Sequence, residues 1–265
     1  MKESVIREVI QAHNFIHLGG YITDLIYLDG ACLTYGREYT GIWFSNASDI
    51  QVEPDRVDDL IDQIEAHMTG RGCTPAINVT PATRPADLGE RLLKRGYKVA
   101  KTVAWMCANY SKQPQPFTLP ADVTIYQAKT QADIETFTSI YRTGYPDASA
   151  AKEAEAFIAS FKYSQSLIDV RYLIVTYHGE PVGIVLYRGL GQHASQGTGM
   201  LKKELRGSEI FPAIVYYSNA IGLQQGVKYL FNQALADTNL ERRYVDFGLE
   251  RQFTRTCYVL GEAAA

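Results

Sequence analysis

The chain has 265 residues, a net charge of −3 and an apolar fraction of 46%, which are the values of a globular protein long enough for two domains. The lack of a basic surplus argues against a nucleic-acid-binding protein, because no excess cations are present to replace phosphate counterions. No apolar run is long enough to span a membrane, and the charged N-terminal segment does not have the pattern of a signal peptide. We therefore expect a cytoplasmic protein that binds neither nucleic acid nor membrane.

Several common site motifs are absent from the sequence. No Gly-x-Ser-x-Gly, His-Glu-x-x-His, phosphate-binding loop or zinc spacing occurs, so we expect no metal site. The cysteines show no Cys-x-x-Cys spacing and have no histidine nearby in sequence, which predicts reduced thiols. They are Cys32, Cys73, Cys107 and Cys257.

The first part of the chain alternates helical and strand patterns. Apolar residues recur at helical spacing near the N-terminus and again after Glu53-Pro-Asp55, where proline and acidic residues favour a helix start. Glycines at positions 70, 72 and 96 are typical helix stops. We predict helices over residues 3–15, 53–69 and 86–95, and strands within 20–45 and over 74–80 and 100–108.

A proline-rich stretch, 111–121, separates this part from the rest and is typical of an extended linker. It divides the chain into predicted domains 1–110 and 122–265. In the second domain Thr130 is a candidate helix cap, and a hairpin turn is predicted at 178–180. We predict strands over 123–128, 171–177, 181–190, 198–201 and 227–236, helices over 130–141, 151–168 and 208–225, a short helix around Tyr244, and a final strand. Such an order favours an α/β fold with a mixed sheet and helices on both faces.

One pattern occurs twice. Leu88 is followed by arginine after three residues and glycine after eight, and a threonine lies six residues beyond that glycine. Leu240 begins the same spacing and leads to Gly248. Where the second copy carries Tyr244, the first carries Leu92. A repeated scaffold in which one copy keeps a titratable hydroxyl suggests one working half and one supporting half.

The second domain, with its Asn239…Tyr244…Gly248 ending, resembles the GNAT family of acyl-CoA-dependent N-acyltransferases. The resemblance extends over 122–260, and 1–110 looks like a shorter, degenerate copy. It implies a tandem protein of two GNAT-like domains, each a mixed, mostly antiparallel sheet flanked by helices. The implied donor is acetyl-CoA or a longer acyl-CoA, and the implied acceptor is an amine of a small molecule or peptide. Oligomeric state is left open.

The resemblance also implies roles for particular residues. Main-chain N–H groups near Met200 and Leu201 would polarise the thioester carbonyl, as oxyanion donors do. Tyr244 would protonate the departing thiolate, since its ordinary pKa keeps it protonated at neutral pH. Asn239 would position the cofactor, or alternatively cap the helix that it begins. Packing against the sheet is the competing interpretation of Tyr244.

The expected phosphate-binding turn is only partly present. Arg206 and Gly207 match the family pattern, but Glu209 and Phe211 stand where glycines are expected. A side chain obstructs the close approach of backbone to pyrophosphate, and a carboxylate repels it. Either the loop is reshaped, with the Ser208 N–H, Arg206 and the lysines at 202 and 203 holding the phosphates, or CoA is not bound in the usual way.

The general base is less well defined than the acid. His193 is the first candidate, because its ordinary pKa suits proton transfer near neutral pH. Glu180 and Glu204 are alternatives, and a water relay would need no base at all. The glycine-dense stretch 189–199 is interpreted as a bulged, splayed strand where a pantetheine arm would fit.

Two functions follow from these observations. The first is an N-acyltransferase with its catalytic site in residues 122–265, supported by Arg206, Asn239 and Tyr244. The second is a non-catalytic tandem GNAT-like module that binds a metabolite, a peptide or a protein, supported by Glu209 and Phe211.

Overall fold

The computed structural model describes residues 1–18, 22–36, 41–112, 117–144, 155, 158 and 168–261. Its contacts divide the chain into two compact units. The first unit contains 1–105, 234–238 and 251–265, and the second unit contains 106–233 and 239–250. The last strand of the chain is therefore grouped mainly with the first unit, while the functional domains 1–110 and 122–265 stay a prediction.

The elements follow one another along the chain in alternation, as the sequence pattern predicts. In the N-terminal part they are α1 (Glu3–His17), β1 (Asp24–Leu28), β2 (Ala31–Tyr35), β3 (Asn46–Ser48), α2 (Val57–Thr69), β4 (Ala76–Val79), α3 (Leu88–Lys94) and β5 (Tyr97–Ala108). They continue with β6 (Val123–Gln127), α4 (Gln131–Gly144), β7 (Asp169–Tyr177), β8 (Glu180–Leu190), β9 (His193–Leu201), α5 (Ile210–Gln224), β10 (Tyr229–Leu235), α6 (Asn239–Asp246) and β11 (Leu249–Leu260).

The first unit is a mixed sheet with helices packed on it. β1, β2 and β3 pair antiparallel in succession, β3 pairs parallel with β4, and β4 pairs antiparallel with β11. The apolar stripe predicted for α2 is buried in the core of this unit. Burial of that stripe supplies most of the stability of such a helix, because isolated helices of this length are marginal in water.

The second unit is also a mixed, mostly antiparallel sheet. β6, β7, β8 and β9 pair antiparallel in succession, and β10 is parallel to β9. Ile214 and Ile221 of α5 pack on one face of this sheet. At the start of α4 the predicted cap is confirmed: Asp133 N–H donates to Thr130 Oγ1 at 3.2 Å, and Thr130 N–H donates to the Asp133 carboxylate at 2.9 Å.

The predicted fold class, a mixed α/β fold with sheets flanked by helices, is confirmed. Two details differ. β3 was not predicted, because three residues are too few for a recognisable alternation. β9 begins at His193 rather than at 198, since its early residues are small and have weak strand preference. Most of the predicted helix 151–168 lies outside the described residues.

The four cysteines are free and buried, in agreement with the prediction of reduced thiols. Among the described residues, no helix is long and apolar enough to cross a membrane. In the same part of the chain, no group of three or more His, Cys, Asp or Glu side chains is arranged to hold a metal ion.

Candidate functional site

Strand β9 carries a bulge near its end. Its register with β8 changes between the pairs Leu186–Gly197 and Ile184–Met200, so β9 has one extra residue there. Thr198 lies in this stretch at a φ of 52°, a left-handed conformation that is uncommon for threonine. Flanking glycines make such a bulge easier to form, and the predicted bulged strand is confirmed.

The pairing of β9 with β10 stops after Ser195, the third residue of β9. The parallel register covers His193–Tyr229, Ala194–Leu230 and Ser195–Phe231. Both strands continue further, β9 to Leu201 and β10 to Leu235. The two strands therefore leave a gap in the sheet beyond Ser195, lined on one side by the bulge.

The backbone of Leu201 faces this gap. Lys202 N–H donates to Val182 O at 2.8 Å, so Lys202 points its main-chain groups toward β8. Main-chain groups of successive strand residues point in opposite directions, so those of Leu201 point away from β8 and those of Met200 toward it. Of the two predicted oxyanion donors, the geometry thus favours the Leu201 N–H.

Two buried amide side chains lie where the strands separate. Gln196 follows Ser195 on β9, and Asn232 follows Phe231 on β10. Asn232 is 1% exposed and Gln196 is 6% exposed. Neither side-chain atom of Asn232, nor the Oε1 of Gln196, has a hydrogen-bond partner in the structure. Leaving such groups unsatisfied costs about 1–3 kcal/mol each, and in native proteins they call for an explanation.

The turn between β9 and α5 is closed by hydrogen bonds of its own. Ser208 N–H donates to Leu205 O at 3.2 Å, and Ser208 Oγ accepts the Ile210 N–H at 3.3 Å. Arg206 Nε donates to Leu201 O at 3.2 Å, which ties this cation to the end of β9. Gly207 has a φ of 89°, and an added Cβ there would meet no atom within 4 Å.

Tyr244 lies in an aromatic cluster at the base of α5. Its ring is stacked on Phe211 with centroids 6.4 Å apart, and Phe211 also contacts Phe247 at 5.8 Å. Tyr216, further along α5, also contacts Phe247, with ring centroids 6.2 Å apart. Tyr244 is 9% exposed. Phe211, which replaces an expected glycine, thus forms one wall of the environment of Tyr244.

The remaining predicted site residues are spread out. Asn239 is the first residue of α6, is exposed, and accepts a hydrogen bond from Arg242 in the same helix. His193 stacks on Tyr229 at the first residue of β9, roughly 25 Å along the strand from Leu201. The structure does not bring His193 together with Met200 and Leu201.

Comparison with known proteins identifies the fold. No protein-family model and no curated protein matches the sequence. A GCN5-related N-acetyltransferase from Kribbella flavida superposes with a TM-score of 0.74 at 13% identity, covering 97% of this chain and 96% of that one. A tandem GNAT protein from the clavulanic acid biosynthesis pathway gives 0.64 at 11% identity, covering 88% and 79%. The chain has a tandem GNAT fold. A third GNAT structure, from Sphaerobacter thermophilus, gives 0.63 at 15% identity over 89% of this chain and 82% of that one.

Within the GNAT fold of the second unit, sequence reasoning missed Gln196 and Asn232. Both are polar residues within strands, and a polar residue inside a buried strand is the signal that could have marked them. The resemblance to the GNAT family, drawn from the Asn239…Gly248 ending, is supported by these neighbours at the level of fold.

Proposed function

We propose that the second unit is an N-acyltransferase that moves an acetyl or longer acyl group from acyl-CoA to an amine of a small molecule or peptide. The observation that carries the proposal is the gap between β9 and β10: pairing stops at Ser195, and the next residue on each strand, Gln196 and Asn232, has buried amide atoms without a hydrogen-bond partner. A pantetheine arm carries two amide groups along a thin chain, and a gap of this kind can bind it by main-chain and side-chain hydrogen bonds.

The chain's own residues would then divide the work of the reaction. A CoA thioester supplies the acyl group and a thiolate leaving group. The amine nitrogen bonds to the thioester carbon and releases its extra proton to solvent, and the Leu201 N–H stabilises the charge on the carbonyl oxygen. As the C–S bond breaks, Tyr244 protonates the departing sulfur and regains its proton from solvent. Phe211 stacks on one face of the Tyr244 ring and helps to fix its position.

The phosphate groups would be held by side chains more than by backbone. The Ser208 N–H already donates a hydrogen bond within the turn, so it is not free to bind a phosphate. The phosphates would instead be bound by the cationic side chains near this end of β9, which are Arg206, Lys202 and Lys203. Gly207 leaves room for a phosphate to approach the loop. Glu209 opposes phosphate binding, and this part of the site fits CoA less well than the gap does.

A non-catalytic binding module is the second candidate. The turn that closes on itself at Ser208, with Glu209 at the start of α5, favours it. In that case the gap would bind another extended chain with amide groups, such as a peptide, and acyl-CoA would be excluded by Glu209.

Calorimetric titration with CoA, acetyl-CoA and octanoyl-CoA distinguishes the two. We expect the protein to bind these ligands with micromolar dissociation constants. Whether acetyl-CoA or octanoyl-CoA binds more tightly indicates the preferred acyl chain length. Arg206→Ala should weaken CoA binding about tenfold, because it removes one charge-assisted contact. Lys98→Ala, on an exposed residue of β5, is the matched control. Wild-type protein that binds none of the three would contradict the proposal.

Replacing Asn232 with leucine should separate stability from binding. Leucine is similar in size and removes two buried, unsatisfied polar atoms, so we expect the melting temperature to rise. The same change removes hydrogen bonds from the gap, and we expect CoA affinity to fall tenfold or more. Gln127→Leu on the exposed edge strand β6 is the control. Unchanged CoA affinity in Asn232→Leu would remove this residue from the proposed site.

A further inference from the structure

A lysine of the first unit has an unusual environment. The Nζ atom of Lys101, on β5, is buried and has no hydrogen-bond partner in the structure. It lies 3.1 Å from the centroid of the Trp43 ring. An aromatic face offers an ammonium group one favourable contact, but it leaves all three N–H donors without an acceptor.

The neighbouring strand places a second cation beside this lysine. Trp105 stacks on Phe253 at 5.1 Å, and Thr102 contacts Thr256 at 3.4 Å. From Trp105 back to Thr102 on β5, the partner on β11 moves forward from Phe253 to Thr256, so the two strands are antiparallel. The same register places Lys101 opposite Cys257. Arg255 is the next residue on the same face and is buried, with its guanidinium 5.3 Å from the Trp105 ring.

Within the part of the chain that the structure describes, the ionisable groups around Lys101 do not include a carboxylate that would stabilise its charged form. Among the described residues, the ionisable groups that act on Lys101 are the Cys257 thiol and the Arg255 guanidinium. The pKa of Lys101 is lowered to about 7, mainly by burial; Cys257 opposes this lowering and Arg255 adds to it. A nearby anion is the change that would favour the charged form and satisfy its donors.

The aromatic ring that covers Lys101 is partly exposed. Trp43 is 41% exposed, in a segment between β2 and β3, so one side of the lysine contact borders solvent. Its ring would cover a ligand that sits on the Lys101 ammonium. Two cations and an aromatic wall together match a carboxylate attached to an apolar body.

We propose that the first unit contains a second binding site, for a small organic carboxylate, in which Lys101 and Arg255 hold the carboxylate and Trp43 packs on its apolar part. This site is separate from the proposed acyl-CoA site, because its residues lie on β5, on β11 and between β2 and β3 of the first unit. It gives the supporting half of the tandem fold a recognition role of its own.

Nuclear magnetic resonance of the tryptophan indoles tests the proposal. The chain has two tryptophans, and Trp43→Phe assigns their two signals. Benzoate, acetate and inorganic phosphate are added separately to the full chain. We expect benzoate to shift the Trp43 signal saturably and at lower concentration than acetate. Lys101→Met, of similar length but uncharged, should weaken benzoate binding tenfold or more, whereas Lys98→Met should not.

The outcomes are separable from a folding defect. The Trp105 signal, from a ring that is fully buried, reports whether Lys101→Met is folded. Folded wild-type protein without a saturable benzoate shift, equal benzoate affinity in folded Lys101→Met, or saturable binding of phosphate alone would each overturn the proposal. Loss of CoA binding at the second unit has no bearing on this result.

Discussion

Tyr244→Phe is expected to lower the turnover of acyl transfer by about one to three orders of magnitude, as for the loss of a general acid, with little change in CoA affinity. The phenol oxygen is the only group that this substitution removes, and the ring keeps its contact with Phe211. Turnover is measured as release of free CoA from acetyl-CoA in the presence of a panel of primary amines, and affinity by calorimetry.

Tyr216→Phe is the matched control for this experiment. Tyr216 belongs to the same aromatic cluster through Phe247, so a change in packing would affect both variants alike. Equal turnover in wild type and Tyr244→Phe would assign Tyr244 to packing alone.

Lys101→Met is expected to stabilise the protein, and more so at lower pH. With a folded pKa of about 7 and an unfolded pKa near 10.5, the unfolded chain alone holds the proton between these values. The free energy of unfolding of the wild type therefore rises as the pH increases from about 7 to about 10.5. Below pH 7 the folded protein carries the buried charge, and its full destabilising effect is present. We expect the stability difference between variant and wild type to be larger at pH 6 than at pH 10, by about 4 kcal/mol if the full pKa shift is expressed.

Urea unfolding at the two pH values measures this difference directly. Titrations shared by the two proteins cancel in the comparison, and Lys98→Met, an exposed lysine on the same strand, is the control. A difference that is the same at pH 6 and pH 10 would mean that Lys101 keeps its charge in the folded protein throughout.

Much of the fold was readable from local pattern. The stripe on α2, the cap at Thr130 and the hairpin around 178–180 each depend on residues close together in sequence, and all are present. The grouping of β11 with β4 of the first unit was not predicted. That pairing joins Cys257 to Asn78, and no local periodicity records which distant strand a final strand will meet.

Part of the candidate site was predictable from the sequence. The bulge in β9 was predicted from its glycines, and Tyr244 was chosen from a repeat, so that its role stays a prediction. Gln196 and Asn232 are polar residues within strands, but their importance becomes clear only when the register of β9 and β10 is known and both side chains are found buried. The position of His193, at the far end of β9, depends on where that strand begins, and the weak strand preference of its first residues hid this.

The central claim is that acyl-CoA binds in the gap between β9 and β10. Amide hydrogen–deuterium exchange, measured with and without acetyl-CoA, tests both the binding and its place. We expect slower exchange over 196–201 and 206–211, where the gap and the phosphate turn lie, with no change over 57–69. Exchange that is unchanged in those two segments, while acetyl-CoA binds elsewhere or does not bind, would contradict the account.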